Sequence, residues 1–407
     1  MYLISKKGGN LQGEIKISGS KSESNRLLIL RAYTSFFKII NLSDSDDTNT
    51  MTSALKLDDK EINIGHAGTA MRFLTSYYSS IPNSIKILTG SERMKQRPIS
   101  ILVDALNYLG ANIEYLNNEG YPPIKINGEL IYNKTVSLKA NVSSQYISSL
   151  MMLGISLEEG LIINLSSKIT SMPYINMTKK IIERVGGEIE ILSDKIIIGP
   201  FKSKIIPDQT VESDWSSVSY FFSLVALSDN SDITLSTFFN KSIQGDFRIV
   251  DIYKQFGVET SFIDNKIHLK KNNIELPNNI SINLEDNPDL AQTIIVTCLG
   301  LGVDCELKGL HTLKIKETDR LLALKKEIEK FDVDSIAITD QSIILKNDFK
   351  LKSGVCIDTY NDHRMAMSFA PLALICPIMI NNPEVVSKSY SNFWKDLESV
   401  GFNISKK

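Results

Sequence analysis

The apolar and polar positions of the chain follow a pattern that recurs at a nearly constant interval. In five places an amphipathic helix stops at a glycine or an aspartate and passes directly into a strand of alternating apolar and polar residues. These segments are 105–115, 181–191, 252–262, 328–338 and 397–406. The stop residues, Gly110, Gly186, Gly257, Asp332 and Gly401, lie 69 to 76 residues apart. Glycine suits the left-handed position that ends a helix, and aspartate is a poorer substitute.

Two of these junctions continue across a polar turn into a second strand, at 190–198 and 261–269, which predicts hairpins. A period of about 70 residues is too long for a solenoid and predicts an α/β protein built from βα-plus-hairpin units. Six such units would fill the chain. The first is truncated, because Leu57 stands where a stop is expected and Gly65 follows with little room for a hairpin. Chance periodicity is the alternative, and the five matching junctions count against it.

Length, composition and charge narrow the class of protein. A chain of 407 residues predicts two domains or one large repeat array. Its net charge of -2 argues against bulk binding to nucleic acid or to a membrane surface. The longest apolar stretch, 369–380, is too short to span a bilayer, and the first residues lack the apolar run of a signal peptide. The four cysteines show no CxxC spacing, so we expect reduced core residues in a cytoplasmic protein.

Several segments place cations where helices begin. Residues 19–26 (GSKSESNR) lie between a predicted strand at 14–17 and a predicted helix at 27–32, where backbone N–H groups with Lys21 and Arg26 would bind an anion. A solvated basic helix start explains this segment equally well. Residues 65–72 (GHAGTAMR) open another helix, in which Gly68 permits close approach to the backbone. Arg97 precedes Pro98 and a predicted helix at 99–108, a place where a cation opposes the helix dipole.

The remaining polar segments each have a plain structural alternative. Residues 143–146 (SSQY) and Ser171 precede apolar helices, as N-caps or as ligands of a phosphorylated or hydroxylated compound. The plain structural interpretation of residues 316–320 (KETDR), before a predicted helix at 321–330, is a surface salt-bridge ladder. For Asp289 it is a helix cap. His66 is interpreted as structural, because the four histidines are scattered and form no metal-ligand set.

Taken together, the cations favour one explanation. Placing positive charge repeatedly at helix N-termini is destabilising unless an anion gathers it. A ligand with several phosphate or carboxylate groups is the economical hypothesis. The cations concerned are Lys21, Arg26, Arg72, Arg93, Arg97, Lys316, Arg320, Arg364 and Lys388.

In this order, the segments resemble those of the enolpyruvyl transferases, and specifically of the EPSP synthase family. The matching strings are GSKSESNR (19–26), GHAGTAMR (65–72), LTGSERMKQRPI (88–99), SSQY (143–146), SIQGDFR (242–248), KETDRL (316–321) and YNDHRMAM (360–367). The resemblance implies an α/β fold of two inverted barrel-like domains, each of three βαβαββ units, with the first unit truncated here. It further implies that residues 1–20 join 212–407 in one domain and that 21–211 form the other.

The resemblance also implies an activity and a set of site residues. The family transfers the enolpyruvyl group of phosphoenolpyruvate to the 5-hydroxyl of shikimate 3-phosphate in chorismate and aromatic amino-acid biosynthesis, and it is the target of glyphosate. No metal or cofactor is implied, and we expect a monomer. Expected shikimate 3-phosphate ligands are Lys21, Ser22, Arg26, Ser143, Ser144, Gln145, Ser171, Asp289 and Lys316. Expected phosphoenolpyruvate ligands are Lys21, Gly68, Arg97, Gln145, Arg320, Arg364 and Lys388.

Three residues are expected to move protons. Asp289 would accept the proton of the attacking hydroxyl, while Glu317 and Lys21 would handle protonation of the methylene carbon and its reversal. Three positions depart from the family: His66 replaces an asparagine, Phe73 a proline and Thr312 an asparagine that contacts the shikimate phosphate. None of these departures removes a charged catalytic group.

Two alternatives remain open. One is the sister enzyme that enolpyruvylates UDP-N-acetylglucosamine, which usually carries a reactive cysteine in the loop matching 89–97, where this chain has none. The other is a non-catalytic anion-binding relative, against which the presence of Asp289, Glu317 and Lys21 together argues.

Overall fold

A computed structural model describes residues 1–56, 58–138, 143–166, 171–203, 205–332, 335–346 and 351–407. The chain divides into two compact units. Unit 1 comprises Met1–Ser18 with Glu212–Lys407, and unit 2 comprises Gly19–Val211. The boundaries expected from the sequence, after residues 20 and 211, lie within two residues of these limits.

Twelve α-helices lie in the described residues, and short 3-10 turns separate some of them. The helices are α1 (Lys21–Tyr33), α2 (Asp46–Ala54), α3 (Gly68–Ser79), α4 (Ser100–Leu109), α5 (Ser144–Gly154), α6 (Met172–Arg184), α7 (Trp215–Leu227), α8 (Ile249–Lys254), α9 (Ala291–Leu301), α10 (Arg320–Ile328), α11 (His363–Phe369) and α12 (Phe393–Ser399). Within the same ranges, no helix combines the length and the hydropathy needed to cross a membrane.

The strands of the described residues are mostly three to six residues long. They are β1 (Tyr2–Ser5), β2 (Asn10–Ile15), β3 (Ile39–Ile40), β4 (Glu61–Asn63), β5 (Ile85–Thr89), β6 (Asn112–Tyr115), β7 (Ile124–Asn127), β8 (Thr135–Leu138), β9 (Leu161–Leu165), β10 (Ile189–Ile191), β11 (Lys195–Ile198), β12 (Gln209–Thr210), β13 (Asn230–Ser236), β14 (Val258–Ile263), β15 (Lys266–Lys271), β16 (Asn279–Asn283), β17 (Asp304–Lys308), β18 (Ile336–Ile338), β19 (Ile343–Leu345), β20 (Cys356–Ile357), β21 (Ile378–Ile380) and β22 (Asn403–Lys406).

The sheets share one scheme of strand order. Unit 1 contains the orders β14-β15-β13-β2, β16-β17-β19-β18 and β20-β21-β1-β22, and unit 2 contains β4-β5-β7-β6 and β10-β11-β9-β8. In each of these five sheets a parallel pair is extended by two antiparallel strands. A sixth sheet, in unit 2, is the parallel pair β3 and β12 alone, as far as the described residues show. The six-repeat interpretation stays a prediction, and Leu57, on which its truncated first unit depended, lies outside the described residues.

The glycine stops are confirmed. Gly110, Gly186, Gly257 and Gly401 have φ of +115°, +92°, +75° and +93°, and strands follow them as expected. The two predicted hairpins are also confirmed, as β10–β11 and β14–β15. The stop at Asp332 is wrong, because α10 already ends at Ile328.

Buried central helices position the segments of interest. In unit 1, α7, α9 and α11 are almost wholly buried and pack against one another, and hydroxyl contacts such as Ser219 to Thr293 (3.0 Å) join them. In unit 2, α1, α3 and α5 pack together in the same way, with Ser76 and Ser149 2.6 Å apart. Of the cysteines, Cys298 and Cys305 are buried as expected, whereas Cys356 and Cys376 are only half-buried.

Candidate active site

In unit 1, one buried guanidinium gathers three carboxylates. Arg320, the first residue of α10, is 2% exposed. Its Nε lies 2.7 Å from Oδ2 of Asp362, Nη1 lies 3.0 Å from Oδ1 of Asp289, and Nη2 lies 2.9 Å from Oε2 of Glu317. Burial alone would lower the pKa of Arg320, but the three carboxylates outweigh it and raise the pKa. The interpretation of 316–320 as a surface salt-bridge ladder is therefore wrong.

Two further cations continue this cluster. Nη2 of Arg364, in the first turn of α11, lies 3.0 Å from Oδ2 of Asp289, and Nζ of Lys388 lies 3.2 Å from Oε1 of Glu317. The charges therefore alternate in the order Arg364, Asp289, Arg320, Glu317, Lys388, and we call these five residues the charge cluster of unit 1. Each proposed proton-transfer carboxylate lies between two proposed phosphoenolpyruvate ligands. Lys316 adds a further favourable charge close to Asp289.

The charge cluster determines the protonation state of Asp289. Burial by itself would raise the pKa of this carboxyl, but the charges of Arg364, Lys316 and Arg320 outweigh burial and hold the pKa well below its usual range. Asp289 is consequently ionised at neutral pH. It lies within a 3-10 turn, Pro288–Leu290, that begins after Asn287, and the residue at the cap position of α9 is Leu290, so the helix-cap interpretation of Asp289 is wrong.

Asp362 and Asp246 are two acids that the sequence analysis did not single out. Asp362 caps α11, where it accepts a hydrogen bond from the backbone N–H of Arg364, and it is fully buried. Burial raises the pKa of Asp246 to about 6, and the nearby charge of Asp289 adds to the rise. Asp246 also accepts a hydrogen bond from the Ser216 hydroxyl. An aspartate two residues before Arg364, where an N-cap residue is common, was the available signal for Asp362, whereas nothing local marks Asp246.

In unit 2, Lys21 and Ser22 are the first two residues of α1, which begins six residues earlier than predicted because Ser20 caps it at this point. The ammonium of Lys21 lies 3.5 Å from Oδ2 of Asp47. Asp47 was also missed, although it lies in the acidic first turn of α2. The N-terminal turn of α1 thus presents a cation at the positive end of its own helix.

A second feature of unit 2 is the close approach of Arg97 to the start of α3. A Cβ atom added to Gly68 would lie 2.5 Å from Nη1 of Arg97, so the guanidinium lies almost against the glycine backbone. The side-chain amide of Gln145 donates to Thr69 Oγ1 at 3.4 Å beside it. Gly68 is the first residue of α3, so the Arg97 guanidinium lies at the N-terminal end of that helix, in addition to preceding α4, which begins at Ser100.

Arg26 forms the third feature of unit 2. It is 2% exposed, and burial lowers its pKa to about 10. Its Nε donates to Thr178 Oγ1 at 2.7 Å, Nη2 to Ser148 Oγ at 3.1 Å and Nη1 to the carbonyl of Ser22 at 2.8 Å. These contacts join α1 to α5 and α6 and fix the carbonyl of Ser22 in the first turn of α1.

The remaining predicted ligands lie at helix starts. Ser143 caps α5, where its hydroxyl accepts from the backbone N–H of Gln145, and Ser144 is the first residue of that helix. Ser171 is buried, has a left-handed φ of +55° and precedes α6 without a side-chain cap bond. His66 hydrogen-bonds to Ser91 through Nδ1 at 2.8 Å, as suits a structural role. Within the described ranges, no group of three or more His, Cys, Asp or Glu residues is arranged to hold a metal ion.

Comparison with known proteins assigns the family. The model of the EPSP synthase (3-phosphoshikimate 1-carboxyvinyltransferase) family matches residues 5–58 and 56–397. A 3-phosphoshikimate 1-carboxyvinyltransferase of Bacteroides fragilis (strain YCH46) is 45% identical over 408 residues, which cover 99% of this chain and 98% of the relative. The enzyme of that name from Colwellia psychrerythraea is 34% identical, with 96% and 97% covered.

Solved structures agree in fold. The EPSP synthase from Acinetobacter baumannii aligns with a TM-score of 0.77 at 19% identity, covering 100% of this chain and 99% of that one. The enolpyruvyl transferase NikO from Streptomyces tendae aligns with a TM-score of 0.73 at 14% identity, covering 99% and 98%. The expected enolpyruvyl transferase fold is thereby confirmed. From the family match and the full-length relatives together, it follows that the chain belongs to the EPSP synthase family, the 3-phosphoshikimate 1-carboxyvinyltransferases.

Proposed function

We propose that the chain transfers the enolpyruvyl group of phosphoenolpyruvate to the 5-hydroxyl of shikimate 3-phosphate and releases phosphate. The observation that carries the proposal is the charge cluster, in which Asp289 and Glu317 lie at 2.9 to 3.2 Å from the three cations. Such a transfer needs a base, an acid and a set of cations that stabilise the charged intermediate. The cluster in unit 1 contains the cations, Asp289 as the base, and Glu317, which we assign to proton transfer at C3 together with Lys21.

The reaction proceeds by addition and then elimination. The 5-hydroxyl oxygen bonds to C2 of phosphoenolpyruvate while its proton passes to Asp289, and the C3 methylene gains a proton from Glu317 or Lys21. The C2–O bond to phosphate then breaks, the departing phosphate takes up the proton held by Asp289, C3 returns its proton to the group that supplied it, and the enol ether double bond forms. Protons and electrons balance without any oxidant or metal ion.

The ion pairs of the charge cluster lower the basicity of Asp289. Two guanidinium groups hold this carboxylate at 3.0 Å, so it is a weak base. The carboxylate of phosphoenolpyruvate would compete with Asp289 for Arg320 and Arg364. Once that competition weakens its ion pairs, the pKa of Asp289 rises toward the value that proton abstraction requires. Substrate binding would in this way activate its own base.

The remaining assignments are those that the family resemblance implies, and they concern both units. Arg320, Arg364 and Lys388 bind the anionic groups of phosphoenolpyruvate, and Lys316 binds shikimate 3-phosphate. In unit 2 we assign phosphoenolpyruvate to Gly68 and Arg97, and both substrates to Lys21 and Gln145. The ligands assigned to shikimate 3-phosphate alone in this unit are Ser22, Arg26, Ser143, Ser144 and Ser171. The domain boundaries, the monomeric state and the cytoplasmic location belong to the same proposal.

Phosphorus NMR tests the proposed reaction. When the protein is mixed with both substrates, the phosphoenolpyruvate signal should disappear as inorganic phosphate and one new phosphate monoester appear in equal amounts. Omitting shikimate 3-phosphate should leave phosphoenolpyruvate intact. Phosphate release without a new monoester would instead indicate simple hydrolysis and would contradict the proposal.

A further inference from the structure

Two consecutive residues just before α11 have a left-handed backbone. Tyr360 has φ of +52° and Asn361 has φ of +55°. This conformation is unfavourable for a residue with a side chain, although asparagine tolerates it better than tyrosine. The pair Asp264–Asn265 has similar values, but it forms the hairpin turn between β14 and β15, where such values are favoured. Residues 360–361 lie between β20 and α11, so contacts from elsewhere must hold their turn.

Glu327 supplies those contacts. It is fully buried in the last turns of α10. Its Oε1 accepts a hydrogen bond from the Tyr360 hydroxyl at 2.6 Å, and its Oε2 accepts one from the backbone N–H of Asp358 at 2.9 Å. Lys330 Nζ lies 2.6 Å from the same Oε2. Burial and the bond to Glu327 both raise the pKa of Tyr360, so its phenol keeps its proton and donates throughout the neutral range.

The same helix holds the other end of this turn. Arg320 precedes Glu327 by seven residues, a spacing that places both on one face of α10. Arg320 binds Asp362 through Nε at 2.7 Å, and Asp362 in turn accepts from the backbone N–H of Arg364. The left-handed turn is therefore fixed to α10 on both sides, at Tyr360 by Glu327 and at Asp362 by Arg320.

We infer that Glu327 and Tyr360 are positioning residues for Asp362 and Arg364. Neither is assigned a contact with substrate. Their hydrogen bond keeps the turn left-handed, and the turn determines where α11 begins and hence where the Arg364 guanidinium meets Asp289. The inference rests on the proposed function, because Arg364 is assigned to the anionic groups of phosphoenolpyruvate. It adds a second group of residues that determines how well this substrate is captured.

The variant Tyr360→Phe removes the hydroxyl and keeps the ring. Its control is Tyr253→Phe, because Tyr253 is another tyrosine of unit 1 whose hydroxyl makes a side-chain hydrogen bond, with Thr297 at 2.7 Å, and it is buried whereas Tyr360 is half-buried. We expect KM for phosphoenolpyruvate to rise about 5- to 20-fold in Tyr360→Phe, which corresponds to about 1–1.8 kcal/mol and so to part of the worth of a hydrogen bond to a charged group. We expect kcat to change much less, and both kinetic constants of the control to stay within about twofold of wild type. If the Tyr360 hydroxyl had a purely structural role, both variants would have a lower melting temperature, and KM for phosphoenolpyruvate would not rise selectively in Tyr360→Phe.

Asn361 provides a rescue and an independent variant. Glycine adopts a left-handed backbone freely, so Tyr360→Phe combined with Asn361→Gly should recover most of the lost affinity. If Tyr360→Phe does not fold, Asn361→Ala strains the same turn without altering Glu327 and should raise the same KM. Equal KM values for the Tyr360→Phe variant and its control, or no recovery with glycine, would overturn the inference. Wild-type protein that releases no phosphate from the two substrates would instead refute the proposed function.

Discussion

The charge cluster predicts that Asp289→Asn lowers kcat and KM for phosphoenolpyruvate together. The substitution keeps the size of the side chain but removes the charge that pairs with Arg320 and Arg364, each at 3.0 Å. Asparagine cannot accept the proton of the 5-hydroxyl. It also leaves two buried cations with less negative charge around them than in the native protein.

The first consequence lowers kcat, and the second lowers KM for phosphoenolpyruvate. Loss of a positioned proton acceptor lowers kcat by roughly 10²- to 10⁴-fold. The carboxylate of phosphoenolpyruvate, however, no longer has to displace Asp289 from the two guanidinium groups. Charged hydrogen bonds are worth about 1.5–3 kcal/mol each, so recovering part of one corresponds to about tenfold tighter binding. We therefore expect KM for phosphoenolpyruvate to fall together with kcat.

Steady-state phosphate release at several phosphoenolpyruvate concentrations, with shikimate 3-phosphate saturating, measures both constants. Asp251→Asn is a suitable control, because Asp251 is an exposed carboxylate of unit 1 paired with Lys254, and both constants should stay near wild type. A higher KM in Asp289→Asn would refute the competition between Asp289 and the substrate. Turnover close to wild type would remove Asp289 from the mechanism.

Three further predictions concern other residues of the two units. Glu317→Gln should lower kcat about 10²- to 10⁴-fold, and nearly normal turnover would exclude Glu317 as a proton-transfer group. Gly68→Ala should push the Arg97 guanidinium aside, since the new methyl group would lie 2.5 Å from Nη1, and overpacking of this kind costs about 1–3 kcal/mol. Glyphosate is longer than phosphoenolpyruvate, so its inhibition constant should rise more than the substrate KM, and equal inhibition constants for the two proteins would refute the close contact. Asp246→Asn tests the pKa of about 6: the folded state holds this proton more tightly than the unfolded state, so stability is lost as pH rises through about 4 to 6. In urea unfolding between pH 4.5 and 7.5, wild type should lose about 2 kcal/mol relative to the variant, whereas a constant difference would contradict the shift.

Local patterns in the sequence predicted much of the fold. A helix that ends at Gly110 or Gly257 and runs into an alternating strand is specified by residues within a few positions of the glycine, and those junctions were confirmed. Asp332 failed because an aspartate does not compel a left-handed turn, and α10 ends four residues earlier. The start of α1 was placed too late, because the apolar run was given more weight than the cap at Ser20.

The site was predicted in its residue types but not in its connections. Positive charges at helix starts indicated an anionic ligand, yet several of their partners lie far away in sequence. Arg320 meets Asp362 across 42 positions, and Arg26 meets Thr178 across 152. Such pairs arise when elements that are distant in sequence pack together, as α1 and α6 do, so no spacing rule finds them. The position of Arg97 against Gly68 was missed for the same reason.

The choice of acceptor substrate tests the central claim most directly. Phosphate release from phosphoenolpyruvate should be measured with shikimate 3-phosphate and, separately, with UDP-N-acetylglucosamine at equal concentrations. We predict that shikimate 3-phosphate supports steady turnover with one phosphate released per molecule consumed, and that UDP-N-acetylglucosamine supports none. Turnover with UDP-N-acetylglucosamine, or no phosphate release with either acceptor, would contradict the proposed function.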